Sequence, residues 1–141
     1  MSLRLISIAA VLLLGGCEAV PGTPPPPAGV ADCAAIDSSN WSAWINAMPG
    51  PNARTTLIAT GKVTVPTGGY RIEWGDLMVL ESYPVQVVAY LRPVPPTHGG
   101  TEAVVTHDVR GEWPMDQQVG SFTVRCGERV LARISPVETA H

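Results

Sequence analysis

Charged residues make up only 15% of this 141-residue chain, and its formal net charge is −3. Arg far outnumbers Lys and the cations form no cluster, so the electrostatic footprint of a nucleic-acid partner is missing. No apolar run reaches the roughly 20 residues that a membrane-spanning helix needs. There is no Cys-x-x-Cys, which removes the usual redox and zinc motifs. There is no Gly-x-Ser-x-Gly elbow either, so the commonest nucleophile arrangement is absent. His98 and His107 lie near Glu102 and Asp108, but none of the zinc spacings occurs, and neighbours along a strand point to opposite faces. The carboxylate pairs Asp76 with Glu81 and Glu112 with Asp116 fall at strand ends and breaks, where solvated surface charge is the common role. No catalytic set, metal site or cofactor is expected.

What the chain has is turn chemistry and an address. Gly and Pro occur 14 times each, and hydrophobic residues make up 45%. Abundant turns with an ordinary apolar fraction suit short strands around one core, and the length suits one domain plus extras.

The extras come first. Arg4 precedes the apolar run Leu5 to Leu14 and small residues follow it, which are the three parts of a secretory signal peptide. Leu14-Gly15-Gly16-Cys17 then resembles the lipobox of bacterial lipoproteins. The resemblance implies a diacylglycerol thioether on Cys17 and cleavage just before it, so residues 1–16 are the expected signal peptide. Glu18 rather than Asp follows the Cys, which in the resembling lipoproteins of two-membrane bacteria favours the outer membrane. The alternative, cleavage after Cys17-Glu18-Ala19, would release the protein. Residues 17–31, with five prolines, form the expected tether: a lipidated Cys followed by a Pro-rich segment too poor in large apolar side chains to build a core. If Cys17 carries lipid, Cys33 and Cys126 remain as a pair in an oxidising compartment. Their bridge would stabilise the fold by roughly 4.5 kcal/mol in the chain-entropy description. Two buried free thiols are the other reading.

Residues 32–141 are the expected folded domain. Trp41, Trp44, Ile45 and Met48 stand at i, i+3, i+4 and i+7, which predicts a short amphipathic helix capped by Ser38 or Ser39 and ended by Pro49-Gly50-Pro51. From Thr55 onward the period is two. Leu57, Ala59, Val63 and Val65 alternate with polar residues, and "YRIEW", "DLMVLES", "VQVVAYLR", "TEAVVTHDV", "VGSFTVRC" and "RVLARIS" follow between Gly and Pro breaks. About seven strands and no helical crossovers predict an all-β antiparallel immunoglobulin-like sandwich with one short N-terminal helix.

On such a scaffold binding belongs to the loops. If successive strands alternate in direction, Pro66 to Gly69, Tyr83-Pro84 and Gly111 to Asp116 share one end. Tyr70, Tyr83, Trp113 and Met115 would then sit near its rim, either as a contact surface or as a plug for the core. "VPTGGYRIEW", residues 65–74, also resembles the N-P-T-T-G-Y loop of chagasin-type inhibitors of papain-like cysteine peptidases. The resemblance implies an immunoglobulin-like fold with Pro66, Thr67, Gly69 and Tyr70 as contacts. Val65 stands where that loop has Asn and Gly68 where it has the second Thr, and Pro-Thr-Gly-Gly is good turn chemistry by itself. The expected function is a lipid-anchored, non-enzymatic structural or interaction module meeting an envelope protein. A chagasin-like inhibitor is the alternative.

Overall fold

A computed structural model describes residues 32–141. The leader, Cys17 and the tether to residue 31 lie outside the described residues. The domain is all β: β1 (Asp37–Asn46), β2 (Thr56–Val65), β3 (Arg71–Leu80), β4 (Val85–Val94), β5 (Val105–Pro114), β6 (Val119–Cys126), β7 (Arg129–Ile134) and β8 (Glu138–Ala140). They form two four-stranded sheets. Sheet A has the order β5-β2-β1-β8 and sheet B the order β3-β4-β6-β7.

Three expectations need correction. The first is the helix: Asp37–Asn46 is a strand, and no helix occurs among the described residues. Trp41, Ala43 and Ile45 alternate as regularly as Trp41, Trp44, Ile45 and Met48 recur at helical spacing. Ser, Asn, Trp and Ile are weak helix formers, and pairing with β2 over most of its length settles the matter. Trp44 then leaves the buried face, and Met48 lies exposed beyond the strand.

The second is strand direction. β1 and β8 pair in parallel, as do β4 and β6, so both sheets are mixed rather than antiparallel.

The third is the break between "YRIEW" and "DLMVLES". Both belong to β3, whose register against β4 shifts between Trp74 and Leu77, so Gly75-Asp76 is a bulge rather than a connection. Removing one connection reverses the parity of every later one. The turn 66–70 therefore shares its end with the connection 95–104 and the hairpin turn 127–128. The segments 81–84, 115–118 and 47–55 lie at the opposite end. Hydrogen bonds record both groupings: Gly68 N donates to Thr101 O (3.0 Å), while Val85 N donates to Gln118 O (2.9 Å) and Met115 N to Thr55 O (3.0 Å).

The inward faces follow the period-two pattern. Leu57, Ala59 and Val63 of β2 meet Val87, Ala89 and Leu91 of β4 and Phe122 and Val124 of β6 in one buried cluster, and Val65 is buried at the end of β2. Small residues on sheet A make room for indoles. A Cβ at Gly61 would collide with the Trp41 ring, and one at Gly111 with the Trp113 ring. Trp41, Trp74, Trp113 and Phe122 then run as a ladder with centroid separations of 6.2, 5.1 and 5.7 Å, the first two contacts edge-to-face. Such pairs add about 0.5–1.5 kcal/mol each beyond their burial.

Cys33 and Cys126 form a disulfide across a separation of 93 residues. It ties the segment preceding β1 to the end of β6, and Arg129 Nη1 reinforces it by donating to Ala35 O at 2.6 Å.

Candidate interaction surface

The residues expected to form one binding rim are divided between the two ends of the sandwich and its interior. Pro66, Thr67, Gly69 and Tyr70 lie in the β2–β3 turn. That turn is held down rather than projected: Gly68 is buried, its amide is bonded to Thr101, and Gly69, at φ 91°, packs on Pro96. At the far end Tyr83 is 89% exposed. Met115, at that same end, is buried, and Trp113 points inward between Trp74 and Phe122. The structure thus brings Pro66, Thr67, Gly69 and Tyr70 together, places Tyr83 by itself, puts Met115 into the core and packs half-buried Trp113 against it.

The titratable groups are dispersed. His98 is exposed on the 95–104 connection, where its Nδ1 lies 3.1 Å from Thr97 Oγ1. His107, on β5, shares a register position with Val63 of β2, and Asp108 pairs with Lys62 on the outer face of sheet A. Among the described residues no three His, Cys, Asp or Glu side chains come close enough to hold a metal ion.

A surface that sequence reasoning missed lies on sheet B. After its bulge β3 continues as Leu77-Met78-Val79-Leu80, and the last three are 47%, 41% and 39% exposed. β3 is an edge strand, so alternate backbone N–H and C=O groups along it face outward without a ladder partner. Four successive apolar residues between Asp76 and Glu81 were the available signal. Such a run reads as a strand buried on both faces, and only the strand order places it at an edge.

The strand register continues this row across the outer face. Met78 aligns with Val88, Val88 with Thr123 and Thr123 with Arg133. A neighbouring row runs from Tyr90 through Arg125 to Val130. Val130, on the opposite edge strand β7, is 55% exposed. Sheet B therefore carries exposed apolar side chains on both open edges, while its middle consists of half-buried Val88 and Tyr90, buried Thr123 and the cation Arg125; exposed apolar side chains on an open edge mark a contact surface.

Charges bracket both edges. Exposed Asp76 and Glu81 flank the apolar run of β3, and exposed Arg129 and Arg133 flank Val130-Leu131-Ala132 on β7. None of the four belongs to an ion pair among the described residues; the pairs there are Lys62–Asp108, Arg71–Glu73, Arg92–Glu73 and Arg110–Glu112. Comparison with protein-family models, with curated proteins and with solved structures returns no match.

Proposed function

We propose that this chain is a lipid-anchored lipoprotein of the bacterial cell envelope, held at the periplasmic face of the outer membrane, whose sandwich is a non-enzymatic protein-interaction module. The observation that carries this reading is the Leu14-Gly15-Gly16-Cys17 sequence at the end of a short apolar run. The Cys33–Cys126 disulfide supports it: the bridge uses two of the three cysteines and suits an exported protein. Stable anchoring takes two or more acyl chains, and the Pro-rich residues 18–31 supply the spacer that lifts the domain clear of the headgroups.

The interaction role rests on sheet B, where exposed apolar side chains coincide with open backbone edges. An immunoglobulin-like kinship is proposed for the layer arrangement alone, since two of the six strand pairings run parallel. The inhibitor alternative gains no specific support, because its loop is a short turn stitched to the neighbouring connection.

Metabolic labelling with a fatty-acid analogue tests the anchor. The wild-type chain should incorporate label and fractionate with the outer membrane, and the Cys17→Ala variant should do neither. An unlabelled Cys17, or an uncut leader on the mature product, would overturn the reading.

A further inference from the structure

We infer that residues 33–36 are a strap fastening the membrane tether to both sheets at once, and that Arg129 keeps the strap closed when the Cys33–Cys126 bridge is open. The tether's part in this rests on the anchored reading; the strap itself stands on the fold.

The strap begins in one sheet and ends in the other. Its first residue, Cys33, is bridged to Cys126 at the end of β6 in sheet B. Its last, Ile36, donates its amide to Thr64 O of β2 in sheet A at 2.9 Å. Thr64 lies beside the turn 66–70 and Cys126 beside the turn 127–128, so the segment crosses the end of the sandwich that those turns share. Midway, Ala35 is 1% exposed and belongs to the core cluster, against which Cys33 also packs. One short segment therefore covers an end of the core while joining the two layers.

Arg129 supplies a fastening that does not depend on sulfur. It is the register partner of Cys126 across the β6–β7 hairpin, so the guanidinium and the bridge reach the same segment from adjacent positions. Its Nη1 donates to Ala35 O at 2.6 Å, and no carboxylate among the described residues forms an ion pair with it. A charged donor on a carbonyl contributes more than a neutral one. This carbonyl belongs to a buried residue, so removing the donor also leaves the acceptor short of a partner.

The strap's position matters because the tether joins it directly at Asp32. With the strap closed, the free chain from Cys17 ends at residue 32 and reaches at most about 45 Å. Opening the strap would lengthen that chain by about 12 Å and leave the domain hanging from β1 alone. Bridge, guanidinium and Ile36 amide together stop the motion of the leash at the edge of the core. The bridge makes the stop covalent, and Arg129 maintains it where the bridge is reduced.

Hydrogen exchange of the full lipidated chain in detergent tests this, read at the Ile36 amide, with the amides of β4 reporting whether the sandwich stays folded. Wild type and Arg129→Gln are compared, each oxidised and each reduced with a phosphine. Reduction of wild type should speed exchange at Ile36 by less than about tenfold, and reduction of Arg129→Gln by about a further tenfold or more, with β4 unchanged in both. Arg129→Lys, which keeps a charged donor, should fall between them. Equal exchange at Ile36 in the two reduced proteins would overturn the inference, as would complete loss of its protection in reduced wild type while β4 stays protected. If reduction unfolds the whole chain, the oxidised pair decides: Arg129→Gln should raise exchange at Ile36 by about threefold, and no rise would overturn the inference. Fatty-acid labelling of Cys17 judges the anchor separately. An unlabelled chain with a latched strap loses only the leash, and a labelled chain whose Ile36 ignores Arg129 loses only the strap.

Discussion

The indole Nε1 of Trp74 donates to the backbone carbonyl of Arg110 at 2.9 Å, joining the edge strand of one sheet to the edge strand of the other. This bond closes the side of the sandwich where β3 and β5 lie next to each other, and the Trp74 ring stands edge-on between Trp41 and Trp113. Two contributions can be separated by substitution. Trp74→Phe keeps a ring and removes the donor, so it should cost about 1 kcal/mol. Trp74→Ala also empties the ladder and should cost about 3 kcal/mol. Urea unfolding of the oxidised protein measures both, and equal losses would show that the ring carries nothing beyond its hydrogen bond.

Gly61 exists in relation to Trp41. The glycine occupies the middle of β2, where a side chain would normally strengthen the strand, yet any Cβ there meets the indole. Gly61→Ala should therefore destabilise by about 1–3 kcal/mol through overpacking. The double variant Gly61→Ala with Trp41→Leu should lose less than the sum of its parts, since the smaller side chain vacates the collision. Additive losses in the double-variant cycle would place the glycine's role elsewhere.

The β2, β4 and β6 strands were legible because period-two alternation on a half-buried strand leaves only one face for the core, and Leu57, Val87 and Phe122 fall on it. β1 was misread because two aromatics and an isoleucine satisfy a helical and a strand period at once over so short a window. Only the partner strand distinguishes them. The bulge at Gly75-Asp76 was invisible for a related reason: a glycine next to an acid is also what a turn looks like. Read as a connection, it places Tyr83 at the same end as Pro66. The parallel pairs β4–β6 and β1–β8 have no local signature, since nothing in one strand's alternation records the direction of its neighbour. Sheet B's open edges were readable in principle, from four apolar residues between two acids and three between two arginines, but only once both segments were known to be edges.

The bridge between Cys33 and Cys126 spans most of the domain and fixes the segment that precedes β1. Replacing both cysteines by Ala should lower stability by about 4.5 kcal/mol if chain entropy sets the effect. The same variant should leave the Trp ladder's near-ultraviolet dichroism unchanged below the transition, because Trp41, Trp74 and Trp113 are held by strands rather than by the bridge. A shift in unfolding midpoint near zero would indicate that the reduced unfolded chain is already compact around that segment.

Tyr83 and Met115 lie at the same end of the sandwich but differ in kind. Tyr83 is almost fully exposed, whereas Met115 is buried beneath the end of β5 with its amide bonded to Thr55. Tyr83→Ser should change stability by no more than about 0.5 kcal/mol, as expected for a surface substitution away from any structural contact. Met115→Ala should cost about 3 kcal/mol through the cavity it leaves. Paired unfolding curves decide the matter. If the two losses were alike, Tyr83 would be packing against the domain, and the exposed ring could no longer be counted as surface available to a partner.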